Sequence, residues 1–220
     1  MKTENWSINN YMKKLNDKSI HKPKYQRKKK WLMHPNAKNT KPNNKDYIKF
    51  LFKIKNSVHP ITFGEKIIDG VKIYENIDGN NRLNAICTYM NKPFEVFPEY
   101  LEDLIKLIKS FENFDRDDRN KIINHFRDID YNSFIKITNL KKYLTTNNLN
   151  GIYDNIKNIG GATDDILEVI TERIQPKMKI DGETPISDTI MINVNLFEGA
   201  TTSELCKIFE DINKYGSTLT

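Results

Sequence analysis

The clearest apolar pattern lies at residues 61–90. A short ITF element is followed by IIDGVKIYENI, in which Asp69-Gly70 is a hairpin-type turn signal. Val71, Ile73 and Tyr74 read as a strand that ends at Asp78-Gly79. Leu83, Ala85, Ile86, Cys87, Tyr89 and Met90 then make a wide apolar face, which predicts a helix from about Asn80. The order is strand, tight glycine turn, helix N-terminus.

Residues 99–144 are mostly helical by the same criterion. Leu101, Leu104, Ile105, Leu107 and Ile108 form one amphipathic run, and Ile122, Ile123, Phe126 and Ile129 a second, preceded by Asp115-x-x-Asp118. Ile135 and Ile137 alternate and predict a short strand. Residues 145–163, with Gly151, Gly160 and Gly161, read as loop, after which Thr163 caps a helix over 164–174. Thr189–Leu196 reads as a strand. Thr201-x-x-Glu204 is a capping box opening a helix with Leu205, Ile208, Phe209 and Ile212 inward. At the other end, residues 1–20 read as a polar lead-in with a short amphipathic element. Pro23, Pro35 and Pro42 make 21–45 irregular, and Asp46 caps a helix over 46–56.

Charge divides this pattern in two. The 220 residues carry a net +6, yet residues 1–60 hold 16 basic and 3 acidic side chains, whereas 61–220 hold 19 and 26. The basic side is 29 lysines against only 6 arginines, and 27 asparagines accompany them, as expected of an AT-rich viral or microbial genome. A lysine therefore says little here and an arginine more. No run approaches the roughly 18 apolar residues of a membrane span, and the N-terminus lacks a signal-peptide core. Cys87 and Cys206 make neither a disulfide framework nor a CxxC zinc site. Both read as buried, inert thiols, and the expectation is an intracellular protein with no membrane partner.

Familiar catalytic templates are missing. His21, His34, His59 and His125 are scattered without HExxH spacing, there is no GxSxG, and no HNH-like or PD-(D/E)xK-like cluster marks a nuclease site. Walker and dinucleotide glycine loops are absent too. In NIDGNNRLNAI, however, the turn delivers Asp78, Gly79, Asn80, Asn81 and the scarce Arg82 to a helix start, where backbone N–H groups and the helix dipole favour an anion. Two readings fit: a phosphate site, or Asp78 simply capping the helix. HKPKYQRKKKWLMH likewise has two readings, a basic aromatic segment for nucleic acid or nucleotide, or a solvated lysine tail.

Three segments together resemble a known family. PKYQRKKKW at 23–31 resembles its Pro-x-Tyr-Gln-Arg-x-x-x-Trp segment, IDGNNRLNAI at 77–86 its Asp-Gly-Gln-Gln-Arg-Leu-x-x-Leu hallmark, and FEDINKYGSTLT at 209–220 its Phe-Glu-x-(Ile/Leu)-Asn-x-x-Gly-x-x-Leu segment. These are the proteins with a ParB/sulfiredoxin-like N-terminal domain, known from GmrSD-type restriction systems and phage-defence proteins. The resemblance implies an α/β (α+β) fold: a single ParB-like domain over 1–220, with a core at 21–98, a mainly helical insertion at 99–175 and a closing strand and helix at 185–220. It also implies a nucleoside triphosphate and Mg²⁺ as cofactors, with hydrolysis left open, and a separate nuclease or effector subunit as partner.

By that resemblance Arg82 and Arg27 contact phosphates, Asp78 orients the metal or attacking water, and Gln26, Asn80 and Asn81 position that water or the base. Tyr25, Gly79, Asn213 and Gly216 fall on the same motifs. The alternatives are a non-catalytic DNA-binding or sensor module working through Lys22, Lys24, Lys28, Lys29 and Lys30, or a degenerate interaction protein. Both hallmark glutamines are replaced by Asn80 and Asn81, each one methylene shorter. In a site where about 1 Å of misplacement costs roughly a hundredfold, that change threatens turnover more than binding.

Overall fold

The computed structural model describes residues 1–21, 23, 43–54 and 60–215, without the side chains of Asn213 and Tyr215. In chain order the first elements are β1 (Lys2–Ser7), α1 (Ile8–Asn16), β2 (Ile20–His21), α2 (Asn44–Ile54), β3 (Ile61–Ile68), β4 (Val71–Asp78) and α3 (Asn80–Asn91). There follow α4 (Pro93–Val96), α5 (Glu102–Ser110), α6 (Arg116–Asp128), α7 (Tyr131–Phe134), α8 (Leu140–Thr146), α9 (Asn150–Lys157) and α10 (Ala162–Glu168). The chain ends through β5 (Lys179–Ile180), β6 (Thr184–Pro185), α11 (Ile186–Thr189), β7 (Met191–Glu198) and α12 (Thr202–Tyr215). It is a mixed α/β protein. None of the described helices is long and apolar enough to cross a membrane.

Two compact units divide these elements: residues 1–87 with 186–220, and residues 88–185. The first holds a five-stranded mixed sheet in the order β1-β7-β3-β4-β2. Strand β7, interior to the sheet, alternates: Ile192, Val194 and Leu196 are buried while the residues between them are half-exposed. It pairs antiparallel with β1 and parallel with β3. The polar lead-in expected at 1–20 is therefore corrected in part. Lys2–Ser7 form an edge strand, anchored by Trp6, which stacks on Phe63 at 5.3 Å and meets Tyr74 edge-on at 5.0 Å. The β3–β4 hairpin turns as expected at Asp69-Gly70, both at positive φ (51° and 77°), the backbone that a tight primed turn requires.

Helix starts follow the capping rules with two adjustments. Asn43, not Asp46, caps α2: its Oδ1 accepts the Asp46 N–H at 2.9 Å, and its amide donates back to the Asp46 carboxylate. Gly161 rather than Thr163 precedes α10. The capping box at α12 forms as expected, with Thr201 N–H donating to Glu204 Oε2 at 2.7 Å. The two cysteines are half-buried, not sealed.

The second unit is helical around an aromatic core that includes Tyr89, Phe94, Phe97, Phe126, Tyr131 and Phe134. Two expectations fail in it. Ile135 and Ile137 form no strand, because the buried amide of Gln175 donates to the carbonyls of Phe134 (3.0 Å) and Ile137 (2.9 Å) and closes a helical end there. The loop expected over 145–163 contains α9, whose Ile152 and Ile156 lie one turn apart and are both buried.

Candidate functional site

The end of β4 is shaped by a bulge. Thr62 pairs with Asp78 and Phe63 with Asn76, so Ile77 is an additional residue on β4, and it is fully buried. A bulge re-aims the residues that follow it. Here it precedes Asp78. The buried Asn76 supports the bend, its Nδ2 donating to the Asp78 carbonyl at 3.1 Å.

Gly79 then reverses the chain at a φ of +91°, a conformation that L side chains rarely adopt. Space demands glycine as well: a Cβ there would lie 2.9 Å from Ile61 Cγ1, 3.1 Å from its Cγ2 and 3.3 Å from Arg82 Nη2. Helix α3 begins at once, its first ladder bond running from Leu83 N–H to the Gly79 carbonyl at 2.9 Å. The N–H groups of residues 80–82 thus precede the helical ladder, where the dipole favours negative charge.

Arg82 reaches back over this turn and donates from Nη2 to Asp78 Oδ2 at 2.9 Å. The guanidinium is mostly covered, its side chain 15% exposed, while Asp78 is 41% exposed. The side chains of Asn80 and Asn81 are half-buried at the first two positions of α3. The turn therefore offers one anion, one cation and two amides within five residues. Among the described residues no three metal-ligating side chains cluster, so Asp78 would hold a cation only with ligands supplied by water or by a bound molecule.

Asp78, Gly79, Asn80, Asn81 and Arg82 are thus placed together by one bend. Tyr25, Gln26, Arg27, Lys22, Lys24, Lys28, Lys29 and Lys30 lie outside the described residues, as does Gly216. Asn213 falls within α12, with its side chain outside the described part. Sequence reasoning missed Asn76 and Ile61. An asparagine beside the apolar Ile77 near the end of a strand-like run was the available signal for the first; Ile61 carries none, because only the fold brings it under Gly79.

These features define a mixed α/β protein whose sheet delivers an ion-paired strand–glycine–helix turn. The family to which the chain belongs is the GmrSD restriction endonuclease N-terminal domain, whose model matches residues 8–220. It is a protein related to restriction and DNA defence. No curated protein and no solved structure matches the chain.

Proposed function

We propose that the sheet-bearing unit binds a nucleoside triphosphate together with Mg²⁺ at residues 78–82, and that this binding controls a nuclease or effector acting on DNA. The observation that carries the reading is Arg82, held across a glycine turn at the start of a 12-residue helix. A planar guanidinium beside helix N-terminal N–H groups suits a phosphate chain. The family supports the setting, being named for the N-terminal domain of a restriction endonuclease. Resemblance to the ParB-like hallmark supports the ligand.

Within that reading, Asp78 fits a cation carried by the nucleotide rather than a protein-built metal site, since Mg²⁺ characteristically keeps waters and phosphate oxygens around one or two carboxylates. The ion would neutralise phosphate charge. The chain's own residues would do the positioning, with Arg82 gripping phosphate, Gly79 letting the backbone approach and Asn80 and Asn81 lining the turn. Hydrolysis is the finer question, because it depends on whether the short amides reach an attacking water.

Calorimetric titration with ATP, GTP and CTP in Mg²⁺ tests the proposal. At least one triphosphate is expected to bind, and Arg82→Ala to weaken it at least tenfold. Absence of binding to all three by the folded protein sinks it.

A further inference from the structure

The helical unit contains a cavity of about 380 Å³ whose lining includes Ser133, Lys136, Thr138, Lys142, Tyr143 and Thr146. No carboxylate lines it. This is unusual in its surroundings, because residues 88–185 carry 14 basic and 17 acidic side chains. Two other cavities of the same unit show the contrast: one includes Glu95 and Asp128, the other Asp103, Asp165 and Glu168.

Five polar side chains of this lining, all solvent-exposed, have no protein partner among the described residues. Among the described residues, the ammonium groups of Lys136 and Lys142 have no ion pair, and the hydroxyls of Ser133, Thr138 and Thr146 have no hydrogen-bond partner. Asp130 is not part of the lining, and its Oδ1 already accepts the Ser133 N–H at 2.9 Å.

One wall is fixed in place. Tyr143 stacks on Phe126 with an interplanar angle of 13°, and its hydroxyl meets His125 Nε2 at 2.5 Å. Ile137 lies beneath it and is buried, only 2% exposed. The cavity thus combines two cations and several hydroxyls with an anchored, half-buried aromatic side chain, at a volume within the range of small-ligand sites.

We infer that this cavity binds a phosphate ester with a planar body, the phosphate held by Lys136 and Lys142 and the body set against Tyr143. Such a group comes either from a free nucleotide-sized molecule or from a nucleic-acid strand. The site is separate in sequence and in unit from residues 78–82 and does not depend on the function proposed for them.

The test is an amide NMR titration of the full chain with AMP and, separately, with a single-stranded oligonucleotide. Shifts are expected at residues 133–146, and the K136Q/K142Q double variant should weaken the responsible probe at least tenfold. A response to AMP identifies a small phosphate ester as the ligand; a response to the oligonucleotide alone identifies a strand. Lys141→Ala, on the same helix, and Arg82→Ala are expected to leave these shifts intact. No shift at 133–146 with either probe overturns the inference. So does an unchanged affinity in the folded double variant, or loss of the shifts in Arg82→Ala.

Discussion

Gly79→Ala separates backbone strain from steric crowding at the turn. The backbone holds φ at +91°, and a residue with a Cβ pays about 1–2 kcal/mol for the left-handed region. The new Cβ also meets Ile61 Cγ1 at 2.9 Å and Cγ2 at 3.1 Å, and crowding of this kind in a packed interior costs about 1–3 kcal/mol. The expected loss is therefore about 2–5 kcal/mol, a large share of a stability that is ordinarily about 5–15 kcal/mol. Ile61→Ala removes both contacting carbons, at its own cost of about 2–5 kcal/mol. In that background Gly79→Ala should cost the conformational part and the milder contact with Arg82 Nη2 at 3.3 Å, but not the clash with Ile61. Urea unfolding of the four proteins, followed by circular dichroism in a constant concentration of stabilising osmolyte, gives the coupling. A Gly79→Ala loss below about 0.5 kcal/mol would refute the strain argument. An equal loss with and without Ile61 would refute the steric one.

Other outcomes follow from single contacts. Gln175→Leu strands the buried carbonyl of Ile137, whereas that of Phe134 keeps the Ile137 N–H at 3.1 Å, so chemical denaturation should show a loss of about 1–3 kcal/mol. His125 is half-buried, and desolvation lowers its pKa below the ordinary 6.5 against an opposing pull from Asp128. The unfolded chain therefore binds a proton more readily, and stability should fall as pH drops from about 6.5 towards the lower folded value. Denaturation midpoints measured between pH 7.5 and 5 should fall less steeply in His125→Gln. Asp78→Asn should raise triphosphate affinity in EDTA and lower it in Mg²⁺, read by calorimetry; changes of the same sign in both buffers would contradict the proposed role of the pair.

What was legible in the sequence was local. Asp69-Gly70 specifies its hairpin from two residues, and Asp78-Gly79 with the apolar face from Leu83 to Met90 specifies the strand end and helix start. Strand β1 was not legible, since of its six residues only Trp6 is buried and its partner β7 lies almost at the other end of the chain. Helix α9 was masked by Gly151 and the surrounding asparagines, although Ile152 and Ile156 carry helical spacing. The turn at Ile135–Ile137 was misread because alternation over three residues fits two backbones, and the arbiter, Gln175, is distant in sequence. At the site, the sequence names the residues that make the bend but not Asn76 and Ile61, which hold it.

The Asp78–Arg82 contact also constrains what the turn would accept. A phosphate that recruits Arg82 competes with a carboxylate already 2.9 Å from the same Nη2, and if it wins it leaves Asp78 facing another anion. Like charges at that range repel unless a cation intervenes, and Asp78, being the more exposed partner, is the one open to such a cation. Free triphosphate therefore pays for breaking the pair, whereas a triphosphate that brings its own Mg²⁺ gives each partner a new opposite charge. On this argument the pair would act as a filter for the metal-loaded nucleotide, with no metal site of its own. It is also why Asp78 and Arg82 must be tested singly: removing one takes an anion from the turn and removing the other a cation, with opposite consequences for an anionic ligand.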